Sequence, residues 1–187
     1  MTKSTVHVRA IQAPLRERYR SDPSSAMVPL TVHNARSDLA DPLHCLVAPD
    51  AVPGERWRSG AHAAVGGAGN VACSGDLLLG ALAACQEVTL RMVAANMGVE
   101  LEALDVEVEG DWDVRGTLAM GEYPVGLTAI RCRTHVVVKD DGRGVRAERL
   151  LRSAEKYCVV LDTLRRGVPV ESMFELETVE ADRAGEA

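Results

Sequence analysis

Five cysteines, Cys45, Cys73, Cys85, Cys132 and Cys158, are the residues of this chain best suited to chemistry. Their number is odd, their spacing is wide, and 187 residues can fold without staples, so a structural disulfide framework is not expected. In a reducing compartment each thiol is then either inert packing or a nucleophile whose reactivity follows its pKa. Cys85 stands apart through its company. In "GDLLLGALAACQEVTLRMVAANMG", residues 75–98, Gly80, Ala81, Ala83 and Ala84 strip bulk from the turn before the sulfur, which lets a backbone or a small substrate come close. The same stretch suits a helix-to-helix contact, and free cysteine is among the most buried residue types, so plain packing stays open.

Other chemistries find less support. His44, Cys45, His62 and Cys73 are zinc-type ligands, but their spacing matches no C-x-x-C or H-x-x-x-H pattern. Adjacent His44 and Cys45 would also point to opposite faces of a strand, and no metal site is expected. Gly67-Ala68-Gly69 with Ala72 fits the loose G-x-G-x-x-A nucleotide pattern, yet no clear strand leads into it and no βαβ unit surrounds it. No G-x-S-x-G elbow marks a hydrolase nucleophile.

The elements that must position Cys85 follow from periodicity. A helix is expected from Ser74, as N-cap, to about Asn96 or Met97, stopped by Gly98. Its first half is apolar all round, as in central helices; its second half is amphipathic, with Glu87 and Arg91 paired one turn apart. From Leu104 to Arg115 apolar and acidic residues alternate, and "AIRCRTHVVVK" alternates with basic ones. Acidic and basic outer faces favour antiparallel pairing, with Cys132 pointing inward. A second helix is expected over residues 144–157, with Ala147, Leu150, Leu151 and Ala154 as its inner stripe. Cys158 either continues that stripe or sits at a helix junction. Short strands are expected in "VHVRA", "MVPLTV" and "VPVESMFEL", with polar "RERYRSDPSSA" between the first two and a mobile loop over residues 59–69.

Length and composition narrow the class. The chain is expected to form a single domain over 1–187, with an irregular N-terminal segment to about residue 40 and a frayed acidic tail from about 178. Hydrophobic residues make up 47% and aromatics only 3%, so the core is built from Val, Leu, Ala and Met, and a face that stacks nucleobases is not expected. A net charge of −6 likewise argues against a nucleic-acid partner. No secretory h-region opens the chain, and no run approaches the roughly 18 apolar residues of a membrane span, so a cytoplasmic protein without a membrane partner is expected.

Three segments together carry a resemblance: "ACSGDLLLGALAACQEVTLRMVAANMG", the strand ending "EGDWDVRGTL", and "AEKYCVVLDTLRRGVPVE". One cysteine lies in an alanine-rich "LLxALxxC" helix, and a second comes later, before a short apolar run and a V-P-V strand. In this order the chain resembles, from about Ile11 to Glu177, the OsmC/Ohr family of thiol-dependent hydroperoxide reductases, and more closely an OsmC-like branch of it.

The resemblance implies an α+β fold in which antiparallel sheets wrap central helices of an intertwined homodimer. It implies a peroxidatic role for Cys85 and a resolving role for Cys158, an organic hydroperoxide substrate, an antioxidant role in oxidative stress, a dithiol reductant of lipoyl or thioredoxin type, and no cofactor. The alternative is a redox-sensing or small-molecule-binding protein without efficient turnover.

Three departures bear on the site. Peroxidase members carry Pro-Glu before the helix, where this chain has Ser74 and Gly75, with Asp76 one place on. Asp76 is nine residues from Cys85, roughly half a turn round a regular helix. The Arg that pairs with that Glu has no matching position, leaving Arg18 and Arg20 as candidates. The proline after the second cysteine is Val159. Without a nearby cation, burial would raise the Cys85 pKa.

Overall fold

The apolar run before Gly98 becomes α2, Ser74–Met97, in a computed structural model that describes residues 6–35, 37–139 and 144–178. Its N-cap is Cys73 rather than Ser74. The Cys73 sulfur accepts the Asp76 N–H at 3.4 Å, and the Asp76 carboxylate accepts the Cys73 N–H at 2.8 Å. This capping box satisfies two otherwise unpaired N–H groups reciprocally, which Ser74 inside the first turn could not do. Gly98 ends the helix in the left-handed region, at φ 67° and ψ 33°, where glycine carries no Cβ penalty.

The two alternating segments pair as an antiparallel hairpin of β4, Leu101–Trp112, and β5, Leu127–Val138, with Val108 opposite Cys132 and Glu109 opposite Arg131. Charge complementarity is realised on the outer face: Arg131 reaches Asp111 at 2.6 Å and Glu109 at 3.2 Å, and Arg133 reaches Glu109 at 3.1 Å. Exposed pairs of this kind each contribute little. The inner face supplies more, because Leu104, Val136 and Val138 pack on Leu90, Ala94, Leu150 and Ala154, the buried core. Val114 leaves the strand: Asp113 accepts the Arg115 N–H and starts α3, Val114–Thr117.

Leu150 and Ala154 come from α4, Gly144–Tyr157, which lies against α2. The chain bends at Cys158, and α5, Val159–Arg166, follows. Cys158 therefore sits at a helix junction, one of the two placements its spacing allows. The bend forms without a proline at position 159.

The N-terminal third departs from expectation. "VHVRA" opens a helix, α1, Val8–Ser21, instead of a strand, and the helix runs on through most of the polar segment. Gln12 accounts for part of this: it accepts from Arg16 one turn on at 2.8 Å and from Asn96 of α2 at 3.2 Å, so a side-chain ladder and a docking contact override local alternation. "MVPLTV" gives only Val32 to β1, Val32–Asn34, which pairs antiparallel with β2, His44–Pro49; β3, Trp57–Gly60, pairs with the other edge of β2. The rest of residues 59–69 is a loop with one 3₁₀ turn, Ala63–Val65.

"VPVESMFEL" also forms no strand: Val168, Val170, Phe174 and Leu176 stand exposed, because none of the described strands lies beside them. The result is an α+β fold of small antiparallel sheets and helices. One membrane expectation needs correcting. α2 is long and apolar enough to cross a bilayer, with a mean hydropathy of 1.5 over its most apolar stretch. Among the described residues it packs along one side on β4, α4 and α5.

Candidate thiol site

Helical spacing puts Leu82, Gln86, Leu90 and Ala94 on the buried side of α2 and leaves Leu78, Val88 and Met92 exposed. Cys85 falls between these rows and is half-buried. Cys158 is fully buried at the junction, with extended backbone at φ −76° and ψ 106°. The two thiols are neighbours, close enough for each to shift the other's ionisation, and both are free.

The surroundings of the two sulfurs differ. Burial pushes the Cys85 thiol up, but the Val160 N–H, the Cys158 thiol, the Thr89 hydroxyl and the Val159 N–H together outweigh it and bring the pKa below the ordinary thiol range. The Thr89 oxygen is 4.0 Å from the Cys85 sulfur, one turn further along α2. At Cys158 burial dominates; the Leu161 N–H opposes it, the neighbouring Cys85 reinforces it, and the pKa is raised. One sulfur is thus disposed to be thiolate and the other to keep its proton. This division suits a nucleophile and a resolving thiol, since thiolate attacks and a second thiol condenses with the product.

A cavity of about 450 Å³ is walled by Leu82, Leu127, Ile130, Cys132, Leu161 and Leu164, without either Cys85 or Cys158 among its lining residues. Leu82 is three residues before Cys85 on α2, and Leu161 three after Cys158 on α5. The walls are mostly apolar, with the Glu155–Arg165 ion pair, 2.7 Å, also lining the space.

The other candidates lie elsewhere. Asp76 is committed to the capping box, about 13 Å along the helix axis from Cys85. Arg18 is exposed near the end of α1, 3.0 Å from the Tyr19 hydroxyl, and Arg20 is paired with Glu17. None of the leading influences on the Cys85 sulfur is a guanidinium. Cys45 is exposed on β2, Cys73 caps α2, and Cys132 lines the cavity. His44 is bonded to Asp41 at 2.8 Å and to Asn70 at 3.1 Å. Sequence reasoning missed Thr89, which left a signal there, a hydroxyl four residues after Cys85 on the same helix.

Comparison with known proteins gives the family and the fold. The model of the OsmC-like protein family matches residues 67–173, which include both thiols. No curated protein matches the chain. Among solved structures it resembles an OsmC-like protein from Mycoplasma pneumoniae, with 17% identity, a TM-score of 0.57, and coverage of 75% of this chain and 89% of that one. An OsmC-like protein of unknown function from Vibrio cholerae has 12% identity and a TM-score of 0.58, covering 73% of this chain and 94% of that one. An organic hydroperoxide resistance protein OsmC from Legionella pneumophila has 18% identity and a TM-score of 0.54, covering 74% and 90%. At these identities the structures speak for the fold alone, but the family model spans more than half of the chain, and the protein belongs to the OsmC-like family.

Proposed function

We propose that this protein is a thiol peroxidase that reduces organic hydroperoxides through Cys85 and Cys158. The observation that carries the reading is the juxtaposition of two free thiols, half-buried Cys85 on α2 and fully buried Cys158 at the α4–α5 junction. The Cys85 thiolate attacks the terminal peroxide oxygen; the O–O bond breaks, the alkoxide takes a proton and leaves as alcohol, and Cys85 becomes a sulfenic acid. The Cys158 thiol then attacks the Cys85 sulfur and its proton leaves with the displaced hydroxyl as water, so that the disulfide shares between both sulfurs the two-electron oxidation made by the peroxide. A dithiol reductant of lipoyl or thioredoxin type returns two electrons and two protons by exchange through a mixed disulfide. The apolar walls of the cavity favour alkyl over hydrogen peroxide. Such turnover fits the reducing cytoplasm and a role in oxidative stress.

The working unit is a homodimer. Leu78, Val88 and Met92 form an exposed apolar row on α2, flanking Cys85, and residues 168–176 carry exposed apolar side chains with no strand beside them. A second copy covers both and closes water out of the thiol pair.

A redox sensor that oxidises once and turns over poorly is the second reading. It is favoured by Gly75 where peroxidase members have Glu, and by the absence of a guanidinium among the leading influences on Cys85. Reduced protein treated with one equivalent of cumene hydroperoxide separates the two. Rapid formation of a Cys85–Cys158 link, followed by repeated turnover with excess dithiol, supports the peroxidase. A link that forms without turnover supports the sensor, and no link overturns both.

A further inference from the structure

Two rows of side chains face each other where α2 lies against the break between α4 and α5. Leu82, Gln86 and Leu90 succeed one another at one-turn intervals on the buried side of α2. Ala154, Cys158 and Leu161 follow at similar intervals along α4, the junction and α5. Leu90 packs with Ala154 in the core, and Leu82 shares a cavity wall with Leu161. Gln86 and Cys158, each the middle member of its row, are therefore bracketed by the same two landmarks, and Cys85 is the residue next to Gln86.

Gln86 is costly at that level of the fold. It is only 8% exposed, and its amide oxygen is buried with no hydrogen-bond partner among the described residues. An unpaired buried acceptor is destabilising, and Leu or Met would fill the same place without that cost. Its row neighbours Leu82 and Leu90 and the facing Ala154 and Leu161 have apolar side chains, and the Cys158 thiol makes no bond to it. A donor that suits this oxygen arrives with the substrate.

We propose that Gln86 is a specificity-determining residue of the thiol site, its amide oxygen accepting a hydrogen bond from the O–H of a bound hydroperoxide and so presenting the terminal oxygen to the Cys85 sulfur. The inference rests on the peroxidase reading. An alkyl hydroperoxide carries its one peroxidic proton on the oxygen that the thiolate attacks. When the S–O bond forms and the O–O bond breaks, that proton stays on the transferred oxygen as the sulfenic acid, the alkoxide takes a proton from solvent, the peroxide is reduced by two electrons and the sulfur is oxidised by two. One acceptor thus serves the same O–H before and after transfer. Being neutral, the amide adds no negative charge beside the thiolate, as a carboxylate there would.

The test compares a hydroperoxide with N-ethylmaleimide, a thiol reagent that has no hydrogen-bond donor. Rates of Cys85 oxidation by cumene hydroperoxide and of Cys85 alkylation by N-ethylmaleimide are measured at one pH on the reduced full chain, mapped by peptide mass, for wild type, Gln86→Leu and Gln86→Met. Oxidation falls about tenfold in both variants while alkylation is unchanged. Equal oxidation rates in wild type and variants overturn the proposal and leave the peroxidase reading standing. So does a fall in alkylation that matches the fall in oxidation, which marks a merely structural role. A wild-type chain that is alkylated but not oxidised overturns the peroxidase reading and this proposal with it. Should one variant not fold, the other gives the same comparison.

Discussion

Cys158 occupies the N-cap of α5 and lies beside Cys85 in the middle of α2, so the residue that starts one helix shifts the ionisation of a thiol on another. The relationship sets the order of events: the more exposed sulfur ionises first, and the buried one keeps its proton.

Removing either thiol has a distinct consequence. Cys85→Ser abolishes cumene hydroperoxide reduction. Cys158→Ser consumes one equivalent and stalls as the Cys85 sulfenic acid, and a second equivalent carries it on to sulfinic acid, because no thiol remains to condense with the sulfenic acid. Peptide mass mapping reads both, and sustained turnover by Cys158→Ser would remove it from the resolving role.

Labelling should also be ordered by pH. With the Cys85 pKa lowered and the Cys158 pKa raised, iodoacetamide modifies Cys85 at lower pH and faster than Cys158, whose burial adds a second barrier. The sign for stability is the same as for a carboxylate: a depressed pKa at Cys85 contributes above the unfolded thiol pKa, near 8.5, and is lost as pH falls through the folded value. Equal labelling of the two thiols across pH 6 to about 9 would contradict the assignment.

Asp76 should matter to stability rather than chemistry. Its carboxyl is held below the ordinary range first by the Cys73 N–H, then by the Cys73 thiol and the charge of His62, against a small burial cost. That contribution is present above about pH 4 and disappears as pH falls through the folded value. Asp76→Ala costs about 1 kcal/mol in urea unfolding at pH 7 and progressively less in acid, with alkylation of Cys85 unchanged.

Core packing gives a larger effect. Leu90 and Leu150 are fully buried where α2 meets α4. Either replaced by Ala destabilises the fold by about 2–5 kcal/mol in urea unfolding, against less than about 0.5 kcal/mol for an exposed site such as Arg152. Gln86 runs the other way: its buried amide oxygen has no hydrogen-bond partner among the described residues, so Gln86→Leu leaves stability unchanged or raises it by about 1 kcal/mol.

Assembly is checked at Val88, which is half exposed on the apolar row of α2. Val88→Glu places a charge in the proposed interface and shifts sedimentation from dimer to monomer. A wild-type chain that sediments as a monomer at micromolar concentration would refute the homodimer.

Much of this architecture was written locally. α2 ends at the glycine that the sequence marks, β4 and β5 pair through the acidic and basic alternation, and α4 keeps the expected range, because 3.6- and 2-residue periods are set by each segment's own burial. Where tertiary contacts or a missing neighbour decided, local pattern failed. "VHVRA" became part of α1, whose Gln12 docks on Asn96 of α2, and "VPVESMFEL" has strand alternation but no adjacent strand.

The sequence by itself, through its resemblance to the OsmC/Ohr family, pointed to the two thiols worth pairing; the residue pattern alone left both open to plain packing. Only the tertiary structure decided their surroundings: the break between α4 and α5 makes Cys158 the N-cap of α5 and buries it beside Cys85 of α2, and such a break is a matter of packing that no residue type announces.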